Sequence, residues 1–389
     1  MSEQWVYQLR EQFPVASKTV FLDIAYENCG ALFAQDAVSR FFHDWSDVSP
    51  QVIKAGGEGK GNILNIVAET RNLLANLLGG VDARLICYTK NTNEGINAIL
   101  QGFSFTPGDN VVTNDQEHSS VIMPCLNLAE KGVTCKVAIA DNGIVTPEML
   151  MEQTDSQTRF VVVSHVQSRS GYKIDLPKLA ELCHQKGIYL IVDAIQSLGF
   201  CPFDAKAWGI DAVASSCYKG LLGIEGIGFL YCSRELLDQI TPVYIADNRF
   251  SKVDETNTQL RRLPDADARK LENSTQNFAG IYALHAGLKQ LEQIGIDRIS
   301  AHISSLFEML YDGLSALGFT MITPRDAEMR CHSISIKCAD PQALYTHFQS
   351  NGIFISFSAG KYVRLSIAPF TTPEDIGKAL TAASLWKGN

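Results

Sequence analysis

Apolar runs alternate with helical patterns through the middle of the chain. The runs at residues 159–164 and 187–193 are dominated by apolar, largely β-branched residues, as strands buried on both faces are. Between them, residues 176–186 carry apolar side chains at helical spacing, and further strand-like runs lie at residues 85–89 and 227–231. This alternation predicts βαβ units, and therefore an α/β fold with a mostly parallel central sheet and helices on both faces.

The pattern changes near residue 278. Two long helical patterns, at residues 280–294 and 297–317, are followed by shorter strands and helices that end with a helix from Pro373. They predict a smaller α+β domain at the C-terminus. We therefore predict three parts, an N-terminal segment that packs with the small domain, a large domain and the small domain, at residues 1–15, 16–277 and 278–389.

Composition agrees with this division and excludes some partners. The chain has 389 residues, which is more than one small core usually accommodates. The net charge is −9 and no long basic run occurs, so we expect no nucleic-acid partner, because phosphate binding needs clustered lysine and arginine. A small anionic substrate stays possible, since one local arginine can bind it.

The chain carries no sign of a membrane segment or a metal site. Its charged, amphipathic N-terminus lacks the apolar core of a signal peptide, and no stretch reaches the roughly 18 apolar residues of a membrane span. The ten cysteines form no CxxC pair, so neither a disulfide framework nor a bound metal is predicted. We expect a cytoplasmic protein with reduced thiols and no membrane partner.

Polar residues follow two of the predicted strands, where ligands bind in open α/β sheets. Asp193 ends the run at residues 187–193, and Thr92 and Asn93 follow the run at residues 85–89. The second pair would open a helix, whose N-terminal N–H groups suit an anion. Helix capping explains each of these residues equally well on the pattern alone.

Lys219 stands out for its surroundings. It lies among small residues and glycines at positions 214–228, within an otherwise apolar stretch. Burial there would lower the pKa of its amine and favour a nucleophilic lysine. A surface lysine in a glycine-rich turn is the other interpretation, and the pattern alone favours it.

The order and spacing of these residues resemble the class-V aminotransferase family, the fold-type I pyridoxal 5′-phosphate (PLP) enzymes that include cysteine desulfurases, isopenicillin N epimerase and kynureninase. The resemblance runs from about residue 20 to residue 385. It implies that Lys219 binds PLP as a Schiff base and moves the Cα proton of the substrate. It also implies that Asp193 pairs with the pyridine nitrogen and that His118 stacks on the ring.

The same resemblance assigns the remaining positions. Gln196 and Ser168 match residues near the phenolic oxygen of PLP, and Arg364 matches the arginine that binds the substrate α-carboxylate. Residues 272–277 (ENSTQN) resemble the segment that reaches the phosphate of a partner subunit, which implies a homodimer in which Thr275 acts across the interface. The resemblance assigns the contacts with the PLP phosphate to Thr92, Asn93, Ser216 and Tyr218. It assigns a substrate contact in the N-terminal segment to Asn28.

Several departures from the family pattern bear on function. Tyr218, Ser168 and Ser274 replace the usual histidine, asparagine and glycine, and each of the first two can still donate a hydrogen bond. Arg169 is unusual and either meets an anionic substrate group or faces solvent.

The stretch before Arg364 has no cysteine, whereas cysteine desulfurases carry a nucleophilic cysteine there. We predict that Cys331 and Cys338 belong to the core. Cys29 is either a reactive thiol or a small buried residue.

We therefore predict a PLP enzyme that acts at Cα of a small amino acid, with β-elimination by a C–S lyase as the leading reaction. Transamination and epimerisation use the same cofactor and the same lysine, so both stay open. A non-catalytic PLP-binding regulator is the alternative of another class. Substrate selectivity is predicted to depend on residues 245–262, where three arginines either read a second acidic group or face water, namely Arg249, Arg261 and Arg262.

Overall fold

A seven-stranded sheet forms the centre of the computed structural model, which describes residues 4–47, 61–245, 250–252, 260–262, 267–358 and 360–388. Its strands in chain order are β2 (Ile86–Thr89), β3 (Asn110–Asn114), β4 (Thr134–Ala138), β5 (Thr158–Ser164), β6 (Tyr189–Asp193), β7 (Ala212–Ser216) and β8 (Gly228–Cys232). The strand order across the sheet is β2-β8-β7-β6-β5-β3-β4. Only β8 runs against the others, which confirms the predicted mostly parallel sheet.

Both faces of this sheet are buried. Along β5, Val161 and Val163 pack into one apolar cluster, whereas Phe160 and Val162 pack into a second cluster on the other side. Successive side chains of a strand point to opposite faces, so an apolar run without alternation belongs to a strand covered on both sides. The structure thus confirms helices on both faces of the sheet.

The helices surround the sheet and continue into the C-terminal part. They are α1 (Gln4–Glu11), α2 (Leu32–Asp47), α3 (Gly61–Leu77), α4 (Thr92–Gly102), α5 (Ser119–Asn127), α6 (Pro147–Glu152), α7 (Leu176–Gln185), α8 (Arg234–Gln239), α9 (Phe278–Ile294), α10 (Ile296–Ala316), α11 (Pro341–Ser350) and α12 (Pro373–Ser384). Polar N-caps set several of these starts. The Asp175 side chain, for example, accepts a hydrogen bond from the N–H of Lys178 at the start of α7.

The C-terminal part contains a four-stranded antiparallel sheet. Its strands are β11 (Thr320–Met321), β12 (Ser333–Lys337), β14 (Ser356–Ser358) and β15 (Tyr362–Ser366), in the order β11-β12-β15-β14. The remaining strands among the described residues form two short pairs. One joins β1 (Val20–Phe21) to β13 (Ile353–Phe354), and the other joins β9 (Phe250–Lys252) to β10 (Leu260–Arg262). This arrangement confirms the predicted C-terminal α+β domain.

Helix α1 lies against the C-terminal part. Arg10 forms an ion pair with Asp375 at 2.6 Å, and the ring of Phe13 stacks on Phe370 with 4.1 Å between centroids. Helix α9 packs against α2 and α3, on the side of the large domain, and also contacts α10. The domain boundary at residue 278 remains a prediction, because α9 contacts both sides of it.

The structure describes only part of the segment at residues 245–262. Arg249 lies outside the described residues, and only the backbone pairing of Arg261 and Arg262 is described. Among the helices in the part of the chain that the structure describes, none combines the length and the apolarity needed to cross a membrane.

Candidate functional site

A small cavity lies where β5, β6 and β7 end. These strands are neighbours, and Ser164 at the end of β5 pairs in register with Asp193 at the end of β6. Parallel strands end at the same edge of a sheet, so their last residues meet. The cavity is lined by Thr92, His118, Ser120, Ser164, Ser168, Asp193, Ile195, Gln196, Ser216, Tyr218 and Lys219.

One corner of this cavity is built from hydroxyl groups at a helix start. Thr92 is the first residue of α4, and its Oγ1 accepts a hydrogen bond from the N–H of Ser216 at 2.9 Å. In return, the Ser216 Oγ accepts from the N–H of Thr92 at 3.0 Å. Hydroxyls beside a helix N-terminus form a site suited to an anion. The neighbouring Asn93 is exposed and lines a different cavity, where its Oδ1 accepts from Asn97.

Asp193 is buried at the floor of the cavity, with only 2% of its surface exposed. Its Oδ1 accepts a hydrogen bond from the N–H of Ile195 at 3.0 Å. Burial raises the pKa of Asp193 to about 7; the bond from Ile195 opposes this rise, and the negative charge of the nearby Glu117 adds to it. A carboxyl group with a pKa of about 7 at this position can share a proton with the nitrogen of a bound ring.

Glu117 is a buried acid that the sequence analysis missed. It accepts four hydrogen bonds, from the side chains of Asn114, Ser164 and Gln167 and from the N–H of Ser164, at 2.5–2.9 Å. Burial raises its pKa, although these bonds oppose the shift. Glu117 thereby ties the loop that carries His118 to the end of β5. An acid directly before a candidate histidine was the only sequence signal for it.

Lys219 is buried beside the N-terminal segment of the chain. Its Nζ donates a hydrogen bond to the backbone oxygen of Ala25 at 2.7 Å. Burial, followed by the positive charge of Arg364, lowers the pKa of Lys219 to about 7, while Asp193 raises it in part. A substantial fraction of this amine is therefore neutral and nucleophilic at neutral pH. The surface position that the local pattern alone favoured is wrong, because Lys219 is 8% exposed.

Glycine permits the chain to reach this position. A Cβ atom on Gly220 would lie 2.2 Å from the backbone oxygen of Leu198, and one on Gly199 would lie 2.0 Å from the oxygen of Gly220. The loops that carry Gln196 and Lys219 can therefore approach this closely only where no side chain intervenes.

Gln196 shares an acceptor with Lys219. Its Nε2 donates to the Ala25 oxygen at 2.8 Å, whereas its Oε1 is buried with no hydrogen-bond partner in the described part of the chain. Tyr218 lies on the other side, with its ring centroid 5.7 Å from the Lys219 Nζ, and burial raises the pKa of its phenol to about 12. Both side chains face the same small volume beside the lysine amine.

Arg364 reaches the site from the four-stranded sheet. It is 5% exposed, its Nε donates to the Ser356 Oγ at 3.1 Å, and its Nη1 donates to the backbone oxygen of Ser168 at 2.5 Å. Burial lowers the pKa of Arg364 to about 10, so the guanidinium stays charged at neutral pH. Asn28 does not line the cavity of Lys219 but a second cavity, with Asp23 and Ser356, and it donates to the Lys219 backbone oxygen at 3.4 Å.

Asp23 is a second acid that the sequence analysis missed. It is 8% exposed and hydrogen-bonds Ser356, which in turn accepts from the Arg364 Nε. Burial raises the pKa of Asp23 to about 6, against the lowering effect of Ser356 and Arg364. Its Oδ1 has no hydrogen-bond partner among the described residues. The carboxylate therefore supports Arg364 through the serine hydroxyl.

His118 lies at the mouth of the cavity as the N-cap of α5. Its Nδ1 accepts a hydrogen bond from the N–H of Ser120 at 3.2 Å, which fixes the ring. Burial of its inner side and the positive charges of Lys219, Arg364 and Arg169 lower its pKa, so the ring is mainly neutral at neutral pH. Arg169 itself donates to the backbone oxygen of Asp115 at 2.9 Å.

Thr275 is exposed and lies outside the cavity. Its segment is held at both ends, by the ion pair of Glu272 with Arg71 at 2.9 Å and by Asn277, which donates to the Gly226 oxygen at 3.0 Å. Ser274 has a φ of 58°, in the left-handed region where glycine is free of strain. The glycine that the family carries at this position thus has a conformational reason.

A comparison with protein families decides the identity of this fold. The model of the family described as "Aminotransferase class-V" matches residues 24–378. The chain belongs to this family. A probable cysteine desulfurase of Methanothermobacter thermautotrophicus is 31% identical over 315 residues, which cover 79% of this chain and 76% of the relative. A second probable cysteine desulfurase, from Pyrococcus abyssi, is 30% identical over 69% of this chain and 66% of its own.

Solved structures show the same fold. A cysteine desulfurase from Thermococcus onnurineus superimposes with a TM-score of 0.88 at 22% identity, covering 97% of each chain. The cystine C–S lyase C-DES superimposes with a TM-score of 0.86 at 20% identity, covering 96% of this chain and all of that one. The predicted fold class and the resemblance to class-V aminotransferases are thereby confirmed.

Class-V aminotransferases are PLP-dependent enzymes, and the side chains of this cavity fit that cofactor. The Thr92 and Ser216 hydroxyls beside the start of α4 would hold the phosphate, and Lys219 supplies an amine with a pKa of about 7. Asp193 is buried where it would meet the ring nitrogen. The unpartnered amide oxygen of Gln196, noted above for the described residues, leaves hydrogen-bonding capacity in the cavity for a bound group.

Proposed function

We propose that this class-V enzyme is a lyase that breaks the C–S bond of a small amino acid by β-elimination and uses no persulfide-forming cysteine. The observation that carries the proposal is the hairpin before Arg364. There β14 pairs directly with β15, Ser356 opposite Arg364 and Ser358 opposite Tyr362, and the sequence has no cysteine after Cys338. A nucleophilic cysteine on a loop at this point is therefore lacking.

Cys29 does not replace that cysteine on chemical grounds. It lies next to Asn28 in the N-terminal segment, and its Sγ is 3.7 Å from the Asn28 Oδ1. Burial raises the pKa of the Cys29 thiol to about 12, so the thiolate is scarce at neutral pH. Attack on sulfur requires the thiolate, which makes Cys29 a poor nucleophile in this environment.

The remaining residues suit elimination from an amino acid. Arg364 would bind the α-carboxylate with the part of its guanidinium that Ser168 and Ser356 leave free. Lys219 would take the Cα proton, because a substantial fraction of its amine is neutral near pH 7. Bound PLP supplies the electron sink that makes the Cα–H bond acidic. Loss of a sulfur leaving group from Cβ would follow.

The comparisons support this reaction class without fixing the substrate. The two relatives described above are named probable cysteine desulfurases, and C-DES is named a cystine C–S lyase. The C-DES structure is a complex of that lyase with its reaction product, cysteine persulfide. A substrate of the cystine type fits a site that offers an arginine for the carboxylate and no cysteine to accept sulfur.

The deciding experiment identifies the carbon product. The purified enzyme, loaded with PLP, is incubated with cystine and, separately, with cysteine, while its visible spectrum is followed. The proposal expects the cofactor band to persist while pyruvate and ammonia accumulate. Alanine as the product would mean desulfuration, bleaching to the pyridoxamine form would mean transamination, and a change of substrate chirality alone would mean epimerisation. Each of these outcomes overturns the proposal.

A Cys29→Ser variant sharpens the test. The proposal expects the variant to form pyruvate at a rate close to that of the parent enzyme, because no step passes through this thiol. Loss of turnover together with normal PLP binding would show that Cys29 accepts sulfur.

We further propose that the enzyme is a cytoplasmic homodimer in which Thr275 reaches the phosphate site of the partner subunit. The exposed position of Thr275 on a segment fixed at both ends supports this arrangement, and all ten cysteines are free, as reducing conditions require. Mixing inactive Lys219→Ala subunits with subunits weakened by Thr275→Val tests it. If the site is shared, the activity after subunit exchange should exceed that of either variant alone. A mixture whose activity equals the sum of the two separate variants contradicts the proposal.

A further inference from the structure

We propose that the second cavity, which Asn28 lines together with Asp23 and Ser356, binds an ammonium group in the leaving part of the substrate. The inference rests on the proposed C–S lyase function and narrows the substrate class to amino acids whose sulfur leaving group carries a positive charge at its far end. Cystine is a member of this class, because its distal half carries an ammonium group.

The second cavity begins next to the arginine that is proposed to bind the substrate carboxylate. It has a volume of about 560 Å³ and is bordered by residues 21–29, by α11 and by residues 354–357. Ser356 lines it, and the Oγ of Ser356 accepts a hydrogen bond from the Nε of Arg364 at 3.1 Å. A substrate whose carboxylate is held at Arg364 therefore has this cavity within reach of its side chain.

Aromatic rings form much of the lining. Tyr345 of α11 and Phe357 of β14 are stacked, with 6.0 Å between centroids and 27° between planes. Phe21 is buried, whereas Tyr26 and Phe354 are 65% and 50% exposed and form the rim. The face of an aromatic ring is negative, so rings grouped around a cavity attract an organic cation. A cationic group gains from such a lining, and an anionic group does not.

Two acids complete the lining of the second cavity. Asp23 is 8% exposed, and its buried Oδ1 accepts no hydrogen bond from the described residues. Glu27 is exposed and has neither a hydrogen bond nor an ion pair within the described part of the chain. Among the described residues, no lysine, arginine or histidine lines this cavity. A buried carboxylate oxygen without a partner is costly, and a bound ammonium group would supply both the missing hydrogen bond and the opposite charge.

The backbone brings the two acids to the same cavity. The carbonyl oxygen of Asp23 accepts hydrogen bonds from the N–H groups of Tyr26 and Glu27, at 2.9 and 3.2 Å. This turn folds Glu27 back towards Asp23, so both acids line one volume. Just before the turn, Phe21 of β1 pairs with Phe354 of β13, which fixes the segment beside the aromatic residues.

The positive charges near Asp23 do not cancel this preference once a substrate is bound. Burial raises the pKa of Asp23 to about 6, whereas the positive charges of Arg364 and Lys219 lower it, so the carboxylate is mainly ionised at neutral pH. In the complex, the α-carboxylate of the substrate would neutralise Arg364. Asp23 and Glu27 would then give the second cavity a negative charge that a cationic leaving group matches.

The proposed substrate class reacts without any additional reagent. From a disulfide substrate, loss of the Cα proton and cleavage of the Cβ–S bond release H⁺ and the anion RSS⁻, which combine to give RSSH. The remaining three-carbon fragment takes up one water and yields pyruvate and ammonia. The leaving sulfur keeps the electron pair of the broken bond, so no oxidant or reductant takes part.

The test compares cystine with two mixed disulfides of cysteine, each of which lacks one distal charge. The disulfide with 2-aminoethanethiol lacks the distal carboxylate, and the disulfide with 3-mercaptopropanoic acid lacks the distal ammonium group. For pyruvate formation by the PLP-loaded enzyme, we expect kcat/KM to fall about tenfold when the ammonium group is missing, and not to fall when the carboxylate is missing. Equal values for the three compounds, or a larger loss without the carboxylate, overturn the inference and leave the lyase function intact.

A binding measurement separates this inference from the proposed function. Each compound is titrated into the PLP-loaded enzyme, and the shift of the cofactor absorption band gives its Kd. If no compound yields pyruvate but the one without the ammonium group binds most weakly, the lyase function fails and the charge preference of the cavity stands. Equal dissociation constants for the three compounds would contradict that preference.

Glu27→Gln removes one charge from the second cavity, and Phe357→Leu removes one ring. In each variant we expect the preference for the 2-aminoethanethiol compound over the 3-mercaptopropanoic acid compound to fall several-fold. Glu130→Gln is the matched control, because Glu130 is exposed and lines neither cavity. The ratio of two substrates on one enzyme does not change when part of the protein is unfolded. A ratio that stays at the parent value in both cavity variants would refute the assignment.

Discussion

The proposed active site has two walls that differ in how the chain builds them. We propose that PLP contacts Thr92, Asp193, Gln196, Ser216 and Lys219, here called the cofactor wall, and that the substrate carboxylate meets the substrate wall of Asp23, Ser356 and Arg364. Most of the cofactor wall follows directly from strands of one sheet. The substrate wall joins residues from the N-terminal segment and two C-terminal strands. A single sheet edge positions the first, whereas long-range contacts assemble the second.

The two walls also differ in their electrostatics. On the cofactor wall, burial raises the pKa of Asp193 and lowers the pKa of Lys219, each to about 7. Both groups can therefore gain or lose a proton near neutral pH. On the substrate wall, Arg364 keeps its charge, because burial lowers its pKa only to about 10. The difference suits proton transfer on one side and binding of a carboxylate on the other.

The largest effect is expected for Lys219→Ala, which removes the centre of the cofactor wall. We expect turnover to fall by at least about 10³-fold, since one residue supplies both the covalent link and the base. PLP should still bind, but without the absorption band of the lysine-bound form. Retained turnover in this variant would remove the assignment of Lys219.

Arg364→Ala tests the substrate wall. We expect mainly a higher KM, equivalent to about 2–5 kcal/mol for the loss of one partner of a buried charge pair, with a spectrum unchanged in the absence of substrate. Arg10→Ala is the matched control, because it removes an arginine that is paired with Asp375 and does not line the cavity of Lys219. An unchanged KM in Arg364→Ala would place the carboxylate elsewhere.

Asp193→Asn separates stability from activity on the cofactor wall. The folded pKa of about 7 lies above the ordinary 3.8, so this group destabilises the apoprotein progressively as pH rises from about 4 to 7. We expect the apo variant to gain roughly 4 kcal/mol of unfolding free energy at pH 8, because each pKa unit corresponds to about 1.4 kcal/mol, and progressively less towards pH 4. Turnover of the PLP-loaded variant should fall. Urea unfolding of the apo variant at pH 8 and at pH 4 measures this difference. An equal gain in unfolding free energy at both pH values would contradict the prediction.

The smallest effect is expected for Ser356→Ala, which removes the link between Asp23 and Arg364. Loss of one hydrogen bond to Arg364 should weaken substrate binding by about 1 kcal/mol, so we expect KM to rise by about fivefold with kcat nearly unchanged. A Ser356→Thr variant, which keeps the hydroxyl, should recover most of the lost affinity. A kcat effect with constant KM would show that Ser356 acts on the cofactor wall instead.

The sequence by itself determined the architecture and most of the cofactor wall. Buried apolar runs alternating with helical patterns specify a covered, mostly parallel sheet, because the two periodicities are local. Residues that end such strands meet at one edge, so the pattern could place Asp193 and Thr92 at that edge, although helix capping explained them equally well. The role of Lys219 came from the order of the motifs and the family that they resemble, because the local pattern alone favoured a surface lysine. Thr275 is assigned by that resemblance alone, whereas Asn93 was also indicated by its position at a helix start, and both lie outside the cavity.

Only the tertiary structure decided the contacts between distant segments. Ala25 accepts hydrogen bonds from Lys219 and Gln196, which are 194 and 171 residues away, and Asp23 meets Ser356 on another element. The bonds of Glu117 with Ser164 and Gln167 are of the same kind. Such contacts depend on how elements pack in three dimensions, and packing leaves no periodic pattern in the sequence, so a buried acid looks like any other acid until its neighbours are known.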